Sequence, residues 1–274
     1  MRDQQTVTDK GLLLSNMSKP QRRMEPQLTK FLWNTLKIPI IHEFKEPATF
    51  EGGDFLPLDD FALIGTGDRT NIGGVKQMLE YGLGFHEVGV VHQPNHPLLS
   101  GDIDPMINMH LDTYLNFASD STAVGCKILL KNAKIEVYHK DSSDKYVLTP
   151  DKMNLYDYLI SKGFNIIEIT TLEQLAYATN FLCIKNGTII SAEIKTIVKD
   201  VLNDLKSKSM VDERYRALCN LVNNEYEILN RNDQFFPHKI QMDHNGIDVY
   251  TLNLHNLTGG YGGAHCMTCA MNRK

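Results

Sequence analysis

Apolar and polar positions along this chain follow two periods, and the switches between them mark out elements. Near the start, TVTDKGLLLSNM reads as two short strands around the turn Asp9-Lys10-Gly11. After a break at Pro20, PQRRMEPQLTKFLWNTL places Met24, Leu28, Phe31, Leu32 and Leu36 at steps of three to four. That spacing predicts a helix that buries this face. IPIIHEF then reads as a short apolar strand. The order recurs. ATFEGGDFLPLDDFALIG predicts a strand, a turn at Leu58-Asp59-Asp60 and a strand, followed by the helix NIGGVKQMLEYGL and the strand EVGVVHQ. A third copy runs from HLDTYLNFASDSTAVG through KILL and takes in an extra hairpin, KIEVYHKDSSDKYVL. Its helix is DKMNLYDYLISKG, with Thr149 as N-cap, Pro150 in the first turn and Gly163 just past the end, and FNIIEIT closes it. The fourth copy opens with ATNFLCIKNGTIISAE, turning at Lys185-Asn186-Gly187. It continues through the helices AEIKTIVKDVLNDLKSK and DERYRALCNLVNNEYEIL to the strand IDVYTLNL. The terminal GGAHCMTCAM reads like the opening strand of one more copy.

The period is strand–strand–helix–strand, repeated at roughly 50–70 residues with insertions. Units of this kind bury their edges by closing on themselves; a generic α+β domain is the alternative. A length of 274 residues fits one domain of about 200–250 residues with additions, so residues 1–274 are read as one domain. A net charge of −5 gives no electrostatic case for nucleic acid. No apolar run approaches the roughly 18 residues that span a bilayer. The polar start MRDQQTVTDK is not a signal peptide. Five widely spaced cysteines, an odd number, suit a reduced cytoplasmic protein. A homo-oligomer is compatible with this composition.

Three short strings carry candidate chemistry. Glu51-Gly52-Gly53-Asp54 puts two acids around two glycines at a strand end, a close turn that aims both carboxylates into one cavity, or else a solvated turn. In His110-Leu111-Asp112-Thr113, read as a strand, His110 and Asp112 share a face. That is a candidate acid/base beside a cation-binding carboxylate, a metal pair, or an exposed polar face. Cys266 and Cys269 could be half a zinc site, a redox pair, or one nucleophile with a bystander. Zinc needs two further ligands, and no second C-x-x-C string supplies them. A redox pair needs a following helix. A single nucleophile at Cys266 fits better, and strand geometry would point Cys269 the other way. The cluster Gly259-Gly260-Tyr261-Gly262-Gly263 lacks the Lys-Ser/Thr of a P-loop. Trp33 reads as core. A thiol among carboxylates points to a planar cation, pinned by paired hydrogen bonds and attacked at carbon.

Taken in order, RDQQ, EGGD, GDRTN, MHLDT and GGAHCMTC resemble the arginine deiminases and the related amidinotransferase superfamily, from Asp3 to Cys269. The resemblance implies the pentein fold, a five-bladed α/β propeller of ββαβ units, of which about four blades and a closing strand would be present. It implies hydrolysis of the guanidino group of arginine to citrulline and ammonia through a covalent thiouronium. Cys266 would be the nucleophile and His110 the general acid/base, with Glu51 beside it. Asp3 and Asp112 would grip the guanidinium. Arg22 and Arg69 would take the substrate's carboxylate, Asp54 would order the substrate site, and Gly260 would make room there. No metal or cofactor is implied. Two departures stand out: the chain starts at Met1-Arg2-Asp3, where relatives carry a preceding blade, and Tyr261 replaces the arginine of the bacterial GRGGG. Arginine dihydrolase and amidinotransferase are the enzymatic alternatives. A non-catalytic guanidino-binding remnant and a zinc module are those of another class.

Overall fold

The structure is a computed structural model and describes residues 2–81, 83–101, 104, 107–150, 152–258 and 262–271. Four strand–strand–helix–strand units follow one another. The first holds β1 (Gln5–Thr8), β2 (Gly11–Leu14), α1 (Glu25–Thr35) and β3 (Ile40–Glu43). The second holds β4 (Phe55–Pro57), β5 (Phe61–Thr66), α2 (Ile72–Tyr81) and β6 (Glu87–His92). The third begins with β7 (Leu115–Ser119) and β8 (Thr122–Cys126). Between these and its last strand lie α3 (Lys127–Asn132), β9 (Lys134–Lys140), β10 (Tyr146–Leu148), β11 (Met153–Asn154) and α4 (Leu155–Ser161); β12 (Asn165–Ile169) completes it. A short helix, α5 (Thr171–Leu175), leads to the fourth: β13 (Leu182–Lys185), β14 (Thr188–Ala192), α6 (Val198–Val211), α7 (Arg216–Asn232), α8 (Ile240–His244) and β15 (Asp248–Leu252).

Every unit pairs its strands in one way. The first strand lies antiparallel to the second, and the last returns parallel on the second strand's other side. The second strand is therefore central. In β5 and β8 this buries nearly every residue, so FALIG and AVGC are continuous apolar runs rather than alternating ones. The extra hairpin has a specific use. Its strand β9 adds antiparallel to β6, so an insertion in the third unit covers the outer edge of the second unit's sheet. One core joins units two to four through Leu63, Leu115, Leu129, Leu159, Phe181 and Phe236. Another fills the space between units one and two with Leu13, Phe50, Phe55, Ile64 and Met78.

Four expectations fail locally, each for a physical reason. The apolar stripe of α1 faces outward: Met24, Leu28, Phe31 and Leu36 are all more than half exposed, and Leu32 is 38% exposed. The helix instead buries Pro26, Thr29 and Trp33. Trp33 packs on Leu12 and Leu14 of the narrow first sheet and donates its indole N–H to Gln5 Oε1. Thr29 Oγ1 donates to Gln4 Oε1 at 2.9 Å. These two polar anchors set the helix's rotation against its hydrophobic period. Helix α4 starts at Asn154, whose Oδ1 accepts from Asp157 N, and not at Thr149. Pairing of Met153 and Asn154 with β9 keeps the chain extended up to that point, and Thr149 is bound to the Val137 carbonyl. HLDT is a 3-10 turn rather than a strand, because Thr113 N and Oγ1 both donate to the His110 carbonyl. The expected closing strand at Cys266 is likewise a turn.

The α1 reversal is testable by urea unfolding. Leu28→Ala and Phe31→Ala should each change stability by no more than about 0.5 kcal/mol. Trp33→Ala should cost about 3–5 kcal/mol. The opposite ranking would restore the buried stripe.

Candidate active site

Four turns far apart in sequence meet at one place, and hydrogen bonds between backbones fix them there. Gly52 N donates to the Asp3 carbonyl at 3.2 Å, and Arg2 N donates to the Cys266 carbonyl at 3.1 Å. Arg2 Nε reaches the His265 carbonyl at 2.8 Å. Asp54 Oδ1 accepts from Leu111 N at 2.9 Å, joining the EGGD turn to the HLDT turn. The two glycines are required by crowding. A Cβ on Gly52 would stand 2.1 Å from the Arg2 carbonyl oxygen, and one on Gly53 would stand 2.9 Å from the His110 ring.

Inside this junction the charges are paired and dry. Glu51 is fully buried and His110 is 3% exposed, with Glu51 Oε2 2.9 Å from His110 Nε2. The other Glu51 oxygen accepts from Ser18 N at 3.0 Å. Asp3 Oδ1 lies 3.9 Å from His110 Nδ1. Burial alone would push His110 down, but Asp3, Glu51 and Asp54 outweigh it and carry its pKa up to about 10. The imidazole is thus a cation at neutral pH. Burial raises Asp3, and the charges of His110 and Arg22 more than reverse this, leaving it below the ordinary carboxylate range. Asp54 goes the other way, held up to about 6 mainly by burial.

Cys266 is partly exposed at this junction. Its Sγ lies 3.6 Å from Asp112 Oδ2, and that same oxygen is 2.7 Å from His265 Nδ1. Burial, then the carboxylates Asp112 and Asp3, push the thiol well above its usual value. In this state Cys266 is a neutral thiol. Asp3 Oδ1 and Asp112 Oδ1 are buried without a hydrogen-bond partner among the described residues. Buried carboxylate oxygens are rarely left so.

Glu51, His110, Asp112, Asp3 and Cys266 are therefore brought together as expected. Asp54 stands in the same junction, near enough to raise His110, and its bond to the Leu111 backbone braces the turns. The arginines face acids. Arg22 Nη1 lies 3.0 Å from Asp3 Oδ2 and 3.3 Å from Glu51 Oε2, and its other nitrogens bond Glu25. Arg69 lies 3.7 Å from Glu51 and 3.1 Å from Asp68. Gly260 and Tyr261 lie outside the described residues. None of the five cysteines is in a disulfide. Among the described residues, the grouping with metal-ligand spacing is Asp3, Glu51 and His110, within 4.8 Å of one another, and it does not include the cysteine pair. A protonated His110 must lose its proton before it could ligate an ion. Two residues escaped the sequence reading. His265 was signalled only by standing next to Cys266. Asn180 had no local signal: its Oδ1 accepts from Gly263 N at 2.7 Å and Cys266 N at 3.1 Å, and its carbonyl accepts from His265 N at 3.0 Å.

This fold is shared with solved structures. The chain is similar to a dimethylarginine dimethylaminohydrolase of Pseudomonas aeruginosa, a cysteine-to-serine variant complexed with citrulline. The TM-score is 0.56 at 17% identity, over 96% of this chain and 71% of that one. ArgZ, an arginine dihydrolase from cyanobacteria, gives a TM-score of 0.62 at 15% identity, over 100% of this chain and 32% of that one. These likenesses define a mixed α/β fold of the pentein class. Among curated proteins, the chain is 24% identical to the arginine deiminase of Halobacterium salinarum over 99% of its own length and 63% of the relative's. To YkgA of Bacillus subtilis it is 27% identical, over 69% of its own length and 54% of the relative's. It thus spans less than two thirds of these relatives. The family model for arginine deiminase matches residues 1–273, and the chain belongs to the arginine deiminase family.

The buried imidazolium makes stability depend on pH. His110 is raised from 6.5 to about 10, so its contribution is full below about 6.5 and is lost as pH rises towards 10. Cys266 adds to the loss only above its ordinary value of 9.0, so the clean window is pH 6.5 to 9. Calorimetry should show Tm falling across that window, and falling less in His110→Gln. Equal slopes would remove His110 as the source.

Proposed function

We propose that this site hydrolyses the guanidino group of arginine or a close derivative, giving citrulline and ammonia from arginine itself. The observation that carries the reading is the pair of partnerless buried oxygens, Asp3 Oδ1 and Asp112 Oδ1, beside a thiol and an imidazolium. A guanidinium supplies planar N–H donors and the positive charge that both oxygens need. Its charge also opposes the carboxylates that keep Cys266 protonated, so binding releases the thiol proton to water.

The thiolate then attacks. The Sγ–C bond forms, the C–N bond to one terminal nitrogen breaks, and His110 gives its proton to the departing ammonia. The covalent thiouronium remains. His110, now neutral, takes a proton from water as the oxygen adds to carbon; the C–S bond then breaks to return the thiolate, and the hydroxyl proton passes to solvent to leave the neutral urea. Glu51 holds the imidazole through both steps at 2.9 Å. Arg22, a quarter exposed at its side chain, is the residue proposed to reach a substrate carboxylate. Arg69, 8% exposed, stays as a counter-charge to Glu51. We read the four units as blades of the five-bladed pentein ring.

The test is incubation with arginine and with Nω,Nω-dimethylarginine, followed by product analysis. Citrulline with ammonia from the first, or with dimethylamine from the second, is the expected result. Cys266→Ser should lower the rate at least about 1,000-fold. Ornithine with carbon dioxide would make the chain a dihydrolase, and a new guanidine compound on adding an amine would make it a transferase. No turnover of either compound by the folded chain would overturn the reading.

A further inference from the structure

The nucleophile's sulfur has a neutral hydrogen-bond donor that comes from the fourth unit, 86 residues away in sequence. Asn180 Nδ2 lies 3.1 Å from Cys266 Sγ. Three observations make this more than a chance contact. The amide's orientation is determined, because Asn180 Oδ1 accepts from two backbone groups, Gly263 N at 2.7 Å and Cys266 N at 3.1 Å. With the oxygen so engaged, the NH₂ end must face the sulfur. The residue is 1% exposed, so water does not compete for the bond. The loop is also built to come close: a Cβ on Gly263 would stand 2.8 Å from the Asn180 carbonyl oxygen.

The charges around the sulfur define what such a donor is for. Asp112 Oδ2 lies 3.6 Å away, and a carboxylate there opposes any negative charge on sulfur. An N–H aimed at the same atom acts in the opposite sense. Carrying no charge, it does not compete with a cationic substrate for Asp3 and Asp112. A lysine or arginine at that position would bind those carboxylates itself. We propose that Asn180 is a catalytic residue whose carboxamide N–H aims the Cys266 sulfur and stabilises the negative charge that forms on it. This rests on reading Cys266 as the nucleophile.

The experiment follows Cys266 alone. Site-resolved mass spectrometry gives the rate of its alkylation by iodoacetamide between pH 7 and 10.5, without substrate, in the full chain. Asn180→Asp keeps the oxygen that accepts from Gly263 and Cys266 and replaces the donor. Its alkylation profile should move up by one pH unit or more, with the rate at pH 9 down at least tenfold. Loss of a hydrogen bond to a charged group is worth roughly this much. Asn180→Ala removes the donor without adding charge. It should shift in the same direction, and it carries the test if the aspartate variant does not fold. If a folded variant, judged by circular dichroism, keeps the wild-type profile, Asn180 only staples the loop and the proposal is overturned. If neither arginine nor its dimethyl derivative is turned over, the alkylation profile still decides the role of Asn180. The two readings therefore fail separately.

Discussion

The site depends on one constraint: a charge taken out of water must be matched where it lies. Glu51 and His110 are both almost free of solvent. Isolated, each ion would cost several kcal/mol to bury. Together at 2.9 Å they hold each other in the ionised form, with Ser18 N on the second Glu51 oxygen and Arg22 and Arg69 alongside. A carboxylate needing so many partners can be placed only where separate segments meet. The glycines of EGGD, the 3-10 turn at His110 and the Asp54 brace all bring segments to that meeting point. Two carboxylate oxygens are left over.

Much of this was legible in the sequence. The strand–strand–helix–strand period and its hairpin turns survive in the structure, with element bounds moved by several residues. Local chemistry decides them: Gly187, for example, takes a φ of +76° in the turn where Asn-Gly foretold it. Misreadings arose where a distant contact overrode a local pattern. The five apolar positions of α1 form an unmistakable stripe, yet Trp33 and Thr29 rotate the helix by bonding Gln5 and Gln4. The cap of α4 was displaced by pairing with β9.

The candidate site divides along the same line. Glu51, His110, Asp112 and Cys266 lie in short strings whose glycines and acids are visible locally. The strand geometry assumed for two of those strings was wrong, although the residues still converge. Turns deliver them by hydrogen bonds from other segments, such as Asp54 to Leu111 and Asn180 to the Cys266 loop. Asn180 itself sits in an ordinary hairpin entry, ATNFLC. Nothing within ten residues of it predicts a contact with sulfur.

The bond from Arg2 to the carbonyl of Cys266 spans nearly the whole described chain. Contacts so distant in sequence form late, since loop-closure entropy must be met before they contribute. During synthesis the EGGD and HLDT turns are made before the turn that carries Cys266. The EGGD and HLDT turns can therefore join while the sulfur is still unmade. The carboxylates and the imidazole of the cluster can thus meet before the turn that carries Cys266 closes on Arg2.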